Sequence, residues 1–238
     1  MADFSPYFVK LMRHEGGYVD DPVDRGGATN KGITFRTFQA FARSNLGIEP
    51  TPENHRALTI KQASVIYRNQ YWNVVQGDKI PWQNFAEMIC DWYINSGTWA
   101  ITALQRMINR RNGMFLVIDG DLGPNTLAGL LELADPELAY IEYKLARKEY
   151  YRTLVRNNPS QEKFLKGWLA RVESFPDQLS DGVKSGPTEL PASEEFSDLL
   201  LHVALEIAIH KYEGAMTPEA IFDYADGIIK EAESRELI

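Results

Sequence analysis

The chain has 238 residues, and its 25 Lys and Arg against 33 Asp and Glu give a formal net charge of −8 at pH 7. A hydrophobic fraction of 44%, with 11% aromatic residues, is enough for a buried core and excludes a wholly disordered chain. The single cysteine, Cys90, excludes an intramolecular disulfide and a cysteine-based zinc site, and we expect it to be buried. The acidic balance argues against nucleic-acid binding, because phosphate groups would repel the chain.

Helical periodicity dominates the sequence. The first pattern begins at Ser5-Pro6 and ends at Glu15, because Gly16-Gly17 stops the helix. Residues 18–34 contain too many turn formers for another helix and predict an ordered loop or a short hairpin. Further helices are expected to begin near Thr34, Thr59, Pro81, Thr98, Pro124, Asp135 and Ser160. Only residues 115–118 have a weak strand pattern, so the expected fold class is mostly α.

Charge and composition change near Phe175. Residues 1–176 contain 21 basic and 19 acidic residues, whereas residues 177–238 contain 4 basic and 14 acidic residues. The stretch from Ser180 to Ser193 is rich in Ser, Gly and Pro, which is typical of a linker. Two amphipathic helical patterns follow it. We therefore expect a separable acidic helical appendage after the body of the protein.

Glu15 is the first candidate for chemistry. It shares the predicted inward stripe of the first helix with Phe8 and Leu11, and the two glycines behind it allow other groups to approach closely. Apolar surroundings disfavour the charged form of a carboxyl group and raise its pKa, which suits a general acid near neutral pH. The same position also suits a structural ion pair with Arg13 or Arg25. Position alone leaves both roles open.

The loop after Glu15 supplies candidates for the second carboxylate that glycoside hydrolysis commonly uses. Its carboxylates are Asp20, Asp21 and Asp24. Asp-rich loops often serve turn formation instead. Asp24 is the better candidate, because Gly26-Gly27 follow it and let the chain turn back across the helix end. Thr29 and Asn30 come next, and their small polar side chains could position a water molecule or a sugar hydroxyl group.

Aromatic and amide side chains near these elements are a second indication of a site that binds sugars. Aromatic rings can stack on the apolar faces of sugars, while amides bond hydroxyl and acetamido groups. The aromatic candidates for a glycan cleft are Tyr18, Tyr67, Tyr71, Trp72 and Trp92. The amide candidates are Asn73 and Asn95. For any single aromatic residue, packing in the core is the competing interpretation.

Four stretches of the sequence stand out as motifs: HEGGYVDDPVDRGGATNKGIT (14–34), IYRNQYW (66–72), DWYINSG (91–97) and DGDLGPNTLAGL (119–130). The first closely resembles the signature of glycoside hydrolase family 108, peptidoglycan hydrolases of phage and prophage origin. The second and third resemble helix motifs of that family, and the fourth is similar to a stretch of the helical peptidoglycan domain that usually follows it. The resemblance covers about residues 4–176 and implies a lysozyme-like helical fold.

The resemblance also implies that Glu15 is the catalytic acid. The order of a Glu, an Asp nine residues later and then a small polar residue is similar to the Glu, Asp, Thr order of phage-type lysozymes. That analogy favours Asp24 together with Thr29 or Asn30. The expected catalytic residues are therefore Glu15, Asp24 and Thr29, and the expected substrate-binding residues are Tyr18, Asn30, Tyr71, Trp72 and Asn95.

The expected organisation has four parts: a lysozyme-like catalytic domain (1–97), a helical peptidoglycan-binding-like domain (98–176), a linker (177–192) and an acidic helical tail (193–238). The expected function is that of a muramidase, which cleaves the β-1,4 bond between N-acetylmuramic acid and N-acetylglucosamine. A lytic transglycosylase acting on the same bond and a non-catalytic wall-binding or interaction protein are the alternatives. The expected partner is the peptidoglycan glycan strand, and residues 193–238 could dock a protein partner or a second copy.

The sequence gives no reason to expect a metal or another cofactor, because the four histidines have no metal-ligand spacing. It also contains no visible Sec signal and no apolar run long enough for a transmembrane segment. We therefore expect synthesis in the bacterial cytoplasm and action at the cell wall, with export supplied by a holin or a dedicated pathway.

Overall fold

The structure is a computed structural model that describes residues 1–14, 18, 27–113 and 115–180. Within these ranges the chain forms nine α-helices and one two-stranded antiparallel sheet. This architecture confirms the mostly α fold with a short hairpin after the first helix. In the described part of the chain, no helix is long and apolar enough to cross a bilayer.

The chain divides into two compact units. Among the described residues, the N-terminal unit comprises residues 5–67, and the C-terminal unit comprises residues 1–4 together with residues 68–180. This division falls within the first 97 residues, which the sequence assigns to one domain. The acidic tail predicted at 193–238 lies outside the described residues.

The N-terminal unit contains most of the first helix, the hairpin and three short helices. Its elements are α1 (Phe4–His14), β1 (Thr29–Asn30), β2 (Ile33–Thr34), α2 (Phe35–Phe41), a π-helical turn (Ala42–Leu46), α3 (Pro52–Arg56) and α4 (Ile60–Tyr67).

The C-terminal unit is built around four longer helices and one short one. Its elements are a π-helical turn (Arg68–Trp72), a 3-10 turn (Gly77–Lys79), α5 (Gln83–Ser96), α6 (Thr98–Asn112), α7 (Pro124–Leu131), α8 (Pro136–Asn157), a second 3-10 turn (Pro159–Gln161) and α9 (Glu162–Glu173).

Local capping explains where several helices begin. The Thr34 side chain caps α2, and the Asp135 side chain caps α8. Ahead of α4, the backbone N–H of Gln62 donates to Thr59 Oγ1 at 3.2 Å, and the backbone N–H of Thr59 donates to Gln62 Oε1 at 2.9 Å. This reciprocal pair is a capping box. These starts confirm the helices predicted from the sequence.

Helix α5 forms the core of the C-terminal unit, because every residue from Gln83 to Trp92 is buried. Phe85 contacts the rings of Tyr140 and Tyr143 in α8, with centroid distances of 5.4 and 5.7 Å. Cys90 is a buried free cysteine, as expected. The apolar side chains predicted to face inward on α5 are buried, and the polar side chains between them are buried as well. These polar groups therefore need hydrogen-bond partners inside the unit.

Gln83 joins the two segments of the C-terminal unit. The backbone N–H of Asp3 donates to Gln83 Oε1 at 2.7 Å, and Gln83 Nε2 donates to the Asp3 carbonyl oxygen at 2.7 Å. The backbone N–H of Gln83 also donates to the carbonyl oxygen of Ser180 at 2.8 Å. Asn84 bonds the backbone of both Gln178 and Ser180. The first residues of the predicted linker are thus hydrogen-bonded to the start of α5.

Two local features differ from the sequence patterns. Residues 115–118 form no strand, because the Asn109 side chain takes up the backbone groups of Leu116. The Leu116 N–H donates to Asn109 Oδ1 at 2.8 Å, and Asn109 Nδ2 donates to the Leu116 carbonyl oxygen at 3.0 Å. Helix α3 was not expected, since five residues are too few for a periodic pattern; Thr51 caps it and Pro52 occupies its first turn.

Candidate active site

The carboxylates expected to perform chemistry lie outside the described residues. They are Glu15 and Asp24, together with the alternatives Asp20 and Asp21. We refer to residues 15–26, which the sequence predicts to form a loop, as the acidic loop. The chain enters this loop from α1 and leaves it at the β1–β2 hairpin, and both of these elements are described.

Tyr67, the last residue of α4, contacts elements on both sides of the acidic loop. Its ring centroid lies 6.0 Å from that of Phe8 in α1. Its hydroxyl group donates to the carbonyl oxygen of Lys31 in the hairpin turn at 3.1 Å. Tyr67 is 1% exposed, so its ring is a core group and is not available for stacking on a sugar. It connects the segment that enters the acidic loop with the segment that leaves it.

The hairpin turns through Lys31 and Gly32, whose φ angles are 50° and 72°. With Asn30 paired to Ile33, positive φ at both central residues is the pattern of a type I′ turn. Glycine adopts this conformation readily, whereas a lysine there is strained. Burial lowers the pKa of the Lys31 ammonium group. The tip of the hairpin therefore combines backbone strain with a partly desolvated cation.

Asn30 and His55 lock the hairpin onto α3. Asn30 Nδ2 donates to the carbonyl oxygens of His55 at 2.8 Å and Arg56 at 3.0 Å. His55 Nε2 lies 2.8 Å from the carbonyl oxygen of Ile33, in hydrogen-bond contact. Asn30 is 2% exposed and both of its N–H groups are used inside the unit. The Asn30 amide therefore holds backbone groups of this unit, and its contact with substrate stays a prediction.

Tyr18 is the described residue of the acidic loop, and Thr29 follows the loop in β1; both are half-buried. The Arg56 guanidinium carbon lies 4.7 Å from the centroid of the Tyr18 ring, and Arg56 Nη2 donates to the Tyr18 hydroxyl at 3.3 Å. The Thr29 hydroxyl donates to the Gly27 carbonyl oxygen at 3.5 Å. The Tyr18 ring is partly exposed beneath the Arg56 cation, so it can contact a polar ligand. The Thr29 hydroxyl group can do the same.

Trp72 is a core residue of the C-terminal unit, and its contact with substrate stays a prediction. Its side chain is 0% exposed, and its indole N–H donates to Asp78 Oδ1 at 2.7 Å. The ring lies so close to Gly77 that a Cβ at that position would stand 2.3 Å from Trp72 Cε2. Only glycine therefore fits under the indole ring, which packs in the core of this unit.

Tyr71 and Asn95 are more accessible members of the C-terminal unit. Tyr71 is half-buried, and its ring meets the ring of Tyr93 edge-on with a centroid distance of 6.3 Å. Asn95 is exposed near the end of α5, and its Nδ2 donates to the carbonyl oxygen of Asp91 at 2.6 Å. Both side chains can reach a ligand from the surface of this unit.

Asp91, the first residue of the DWYINSG motif, is structural. Its Oδ2 lies 2.5 Å from Arg147 Nη2, and its Oδ1 lies 2.7 Å from Arg171 Nη2. Burial alone would raise the pKa of the Asp91 carboxyl, but the two guanidinium groups outweigh it and hold the pKa below its ordinary value. The motif thus joins α5 to α8 and α9 through an ion pair.

Gln105 of α6 organises the DGDLGPNTLAGL motif. Its Nε2 donates to Asp119 Oδ1 at 2.7 Å, to the Asp121 carbonyl oxygen at 3.0 Å and to Thr126 Oγ1 at 3.2 Å. Its Oε1 accepts the backbone N–H of Gly120 at 3.0 Å. One buried amide therefore fixes the loop that precedes α7.

Sequence reasoning did not find the roles of His55 and Gln105. Each bonds backbone or side chains that are distant in the sequence, and such a contact leaves no periodic signal. Among the residues that the structure describes, no group of three or more His, Cys, Asp or Glu side chains is placed to hold a metal ion.

Two family models match the chain in succession: Glycosyl hydrolase 108 over residues 8–97, and Predicted Peptidoglycan domain over residues 99–173. A solved structure, that of SagA from Brucella abortus, is 33% identical to this chain, with a TM-score of 0.58. The alignment covers 72% of this chain and 90% of that one. The chain belongs to glycosyl hydrolase family 108.

This family 108 protein is a glycoside hydrolase that acts on peptidoglycan. The hydrolase match includes the acidic loop and the residues Asn30, His55, Tyr67 and Asp91. The peptidoglycan-domain match includes Gln105 and the loop that it organises. No curated protein matches the chain.

Proposed function

We propose that this protein is a muramidase, which hydrolyses the β-1,4 bond between N-acetylmuramic acid and N-acetylglucosamine. The observation that carries the proposal is the Glycosyl hydrolase 108 match over residues 8–97, which includes Glu15 and the whole acidic loop. In the proposed reaction, Glu15 protonates the oxygen of the leaving sugar. Asp24 stabilises or attacks the oxocarbenium-like centre, directly or through a water molecule.

The elements that flank the acidic loop support the roles proposed for Glu15 and Asp24. Two carboxylates can divide the work of acid and nucleophile or base only when the protein holds their separation within a narrow range. Tyr67 connects α1 with the hairpin turn, and Asn30 and His55 fix the hairpin to α3. The elements before and after the acidic loop are thereby held by buried groups. Fixed flanking elements suit residues that must keep a defined geometry.

Substrate contacts are proposed at the accessible candidates in each unit. In the N-terminal unit these are Tyr18, half-buried beneath Arg56, and Thr29. In the C-terminal unit they are Tyr71 and Asn95. We further propose that residues 1–97 carry the catalytic activity, that residues 98–176 bind the wall, and that the protein acts at the cell wall after export.

Mass analysis of the fragments released from purified peptidoglycan tests the reaction. Fragments with reducing N-acetylmuramic acid ends are the expected result. Anhydro ends would mean that the protein is a lytic transglycosylase, which needs one acid and no attacking water. Release of no fragments by the folded protein would contradict an enzymatic role.

The Glu15→Gln variant tests the acid, because the amide keeps the shape of the side chain and lacks the proton. General acid catalysis contributes about 10²–10⁴-fold, so the turnover should fall by at least about 100-fold with the fold intact. A variant that retains more than about a tenth of the activity would refute the role of Glu15. Asp24→Asn should also slow turnover, and Asp20→Asn in the same loop is the matched control. Damage by Asp20→Asn in place of Asp24→Asn would move the second carboxylate to Asp20.

A further inference from the structure

Five aromatic rings form a connected row across three helices of the C-terminal unit. We call this row the aromatic strip; in spatial order it consists of Trp99, Tyr150, Tyr151, Trp168 and Phe164. The ring centroids of successive members are 6.0, 5.5, 5.1 and 5.7 Å apart. Trp99 belongs to α6, the two tyrosines to α8, and the last two members to α9.

Both ends of the aromatic strip are exposed. Trp99 is 60% exposed and Phe164 is 46% exposed, whereas Tyr150 and Trp168 are half-buried. Large aromatic side chains contribute much to a buried core, and contiguous aromatic surface that stays exposed often marks a binding site. Trp99 and Phe164 are both exposed, and each contacts a further aromatic ring. This arrangement indicates a surface that binds a ligand.

The rings of the strip are held in place by the core beneath them. Tyr150 contacts Trp92 of α5 at a centroid distance of 5.7 Å. Tyr151 is 3% exposed, and the guanidinium carbon of Arg147 lies 5.7 Å from its ring centroid. A ligand that stacks on the strip would therefore meet rings that are already ordered, which reduces the entropic cost of binding.

We propose that the aromatic strip binds the glycan strand of peptidoglycan, with Trp99 and Phe164 stacking on the apolar faces of sugar rings. The proposal rests on the action of the protein on peptidoglycan and adds a second contact with the same polymer. All five rings lie within residues 99–173, the part of the chain that matches the peptidoglycan-domain model. Lys163 Nζ lies 4.8 Å from the centroid of the Phe164 ring. This cation complements the carboxylates of the peptide stems that the glycan carries.

A cleft of about 550 Å³ in the same unit is the alternative site for binding of the glycan strand. It is lined by an exposed aromatic residue, Phe115, and by three carboxylates, those of Asp119, Asp121 and Glu132, with no basic residue. An acidic lining repels the carboxylates of peptide stems, whereas the strip has a cation at one end. The charges therefore favour the strip.

Binding of the full chain to purified, insoluble peptidoglycan tests the proposal. The Glu15→Gln background is used so that the polymer is not cut; if fragments still appear there, the assignment of Glu15 fails while the binding result stands. Trp99→Ala and Phe164→Ala should each weaken binding by about 2–10-fold, and the double variant should weaken it further. Trp99→Phe should restore most of the affinity, because it keeps a ring. Leu138→Ala, at a 52% exposed position of α8 away from the strip, is the matched control and should bind normally.

Three results would overturn the proposal. Unchanged binding by the double variant would show that the strip does not contact the wall. Loss of binding by Phe115→Ala, with normal binding by the strip variants, would place the contact at the cleft. Loss of binding to whole peptidoglycan with unchanged binding to peptide-free glycan strands would show that the strip recognises the peptide stem and not the sugar. Circular dichroism of each variant shows that the comparison is made between folded proteins.

Discussion

The carboxylate of Asp91 lies 2.5 Å from the guanidinium group of Arg147, and the two side chains are 5% and 0% exposed. Arg171 reaches the other oxygen of the same carboxylate from α9. The Nε and Nη1 atoms of Arg147 have no hydrogen-bond partner among the described residues. The Asp91 carboxylate thus contacts two cations inside the C-terminal unit, and its charge stabilises the packing of α8 and α9 on α5.

Asp91→Asn should lower the free energy of unfolding by about 3–5 kcal/mol, because it leaves Arg147 buried without a counter-charge. The Asp91 pKa is held below its ordinary value, so the stability that this carboxyl provides is present above about pH 4 and is lost as the pH falls through the folded-state pKa. Urea denaturation at pH 7 and at pH 3 measures both effects; the difference between variant and wild type should shrink at the lower pH. Glu132→Gln, at an exposed position, should change stability by no more than about 0.5 kcal/mol at either pH.

Tyr67→Phe should reduce activity more than its loss of stability explains. Removing the hydrogen bond to the Lys31 carbonyl should cost about 0.5–1.5 kcal/mol and loosen the connection between the two ends of the acidic loop. Peptidoglycan turnover and thermal unfolding are measured side by side. Tyr143→Phe removes a comparable hydrogen bond, to the Ala100 carbonyl at 3.0 Å in the C-terminal unit, and is the control. Equal loss of turnover in the two variants would contradict a positioning role for Tyr67.

Asn30→Asp should destabilise the protein by at least about 2 kcal/mol. The substitution keeps the shape of the side chain, removes the N–H donors of one buried and one partly buried hydrogen bond, and introduces a desolvated charge. Asn54→Asp is the matched control, because Asn54 makes a hydrogen bond near the surface, to the Glu49 carbonyl at 2.9 Å. Chemical denaturation should separate the two variants clearly, and similar stabilities would show that the hydrogen bonds of Asn30 are energetically unimportant.

Lys31→Asn should raise the free energy of unfolding by about 0.5–1 kcal/mol, since asparagine adopts positive φ more readily than lysine in a type I′ turn. Lys61→Asn on the exposed face of α4 should have the opposite sign, because asparagine is a poorer helix former. Differential scanning calorimetry measures both. A destabilised Lys31→Asn variant would mean that the lysine side chain contributes more than the turn strain costs.

The sequence predicted features that depend on neighbouring residues. The Thr59–Gln62 capping box and the Asp135 cap are formed by side chains three residues or fewer from their partners, so the local pattern contains the whole interaction. The buried face of α5 was predicted for the same reason, because helical spacing of apolar residues is a local property.

The sequence could not decide which polar and aromatic groups near the motifs face a ligand. Trp72 was expected in the cleft, but its burial depends on the absence of a side chain at Gly77 and on a hydrogen bond to Asp78. Asn30 was expected to contact a sugar, but its partners are backbone carbonyls about 25 residues away in the sequence. Such contacts depend on the fold as a whole, so they cannot be predicted from residue type and local spacing alone.

Because Gln83 bonds both Asp3 and Ser180, the first residues of the chain and the segment that follows α9 meet at one residue. A peptide fused ahead of residue 3 and an insertion placed beside Ser180 would therefore lie next to each other at the first turn of α5. Each should disturb the hydrogen bonds that hold the other segment.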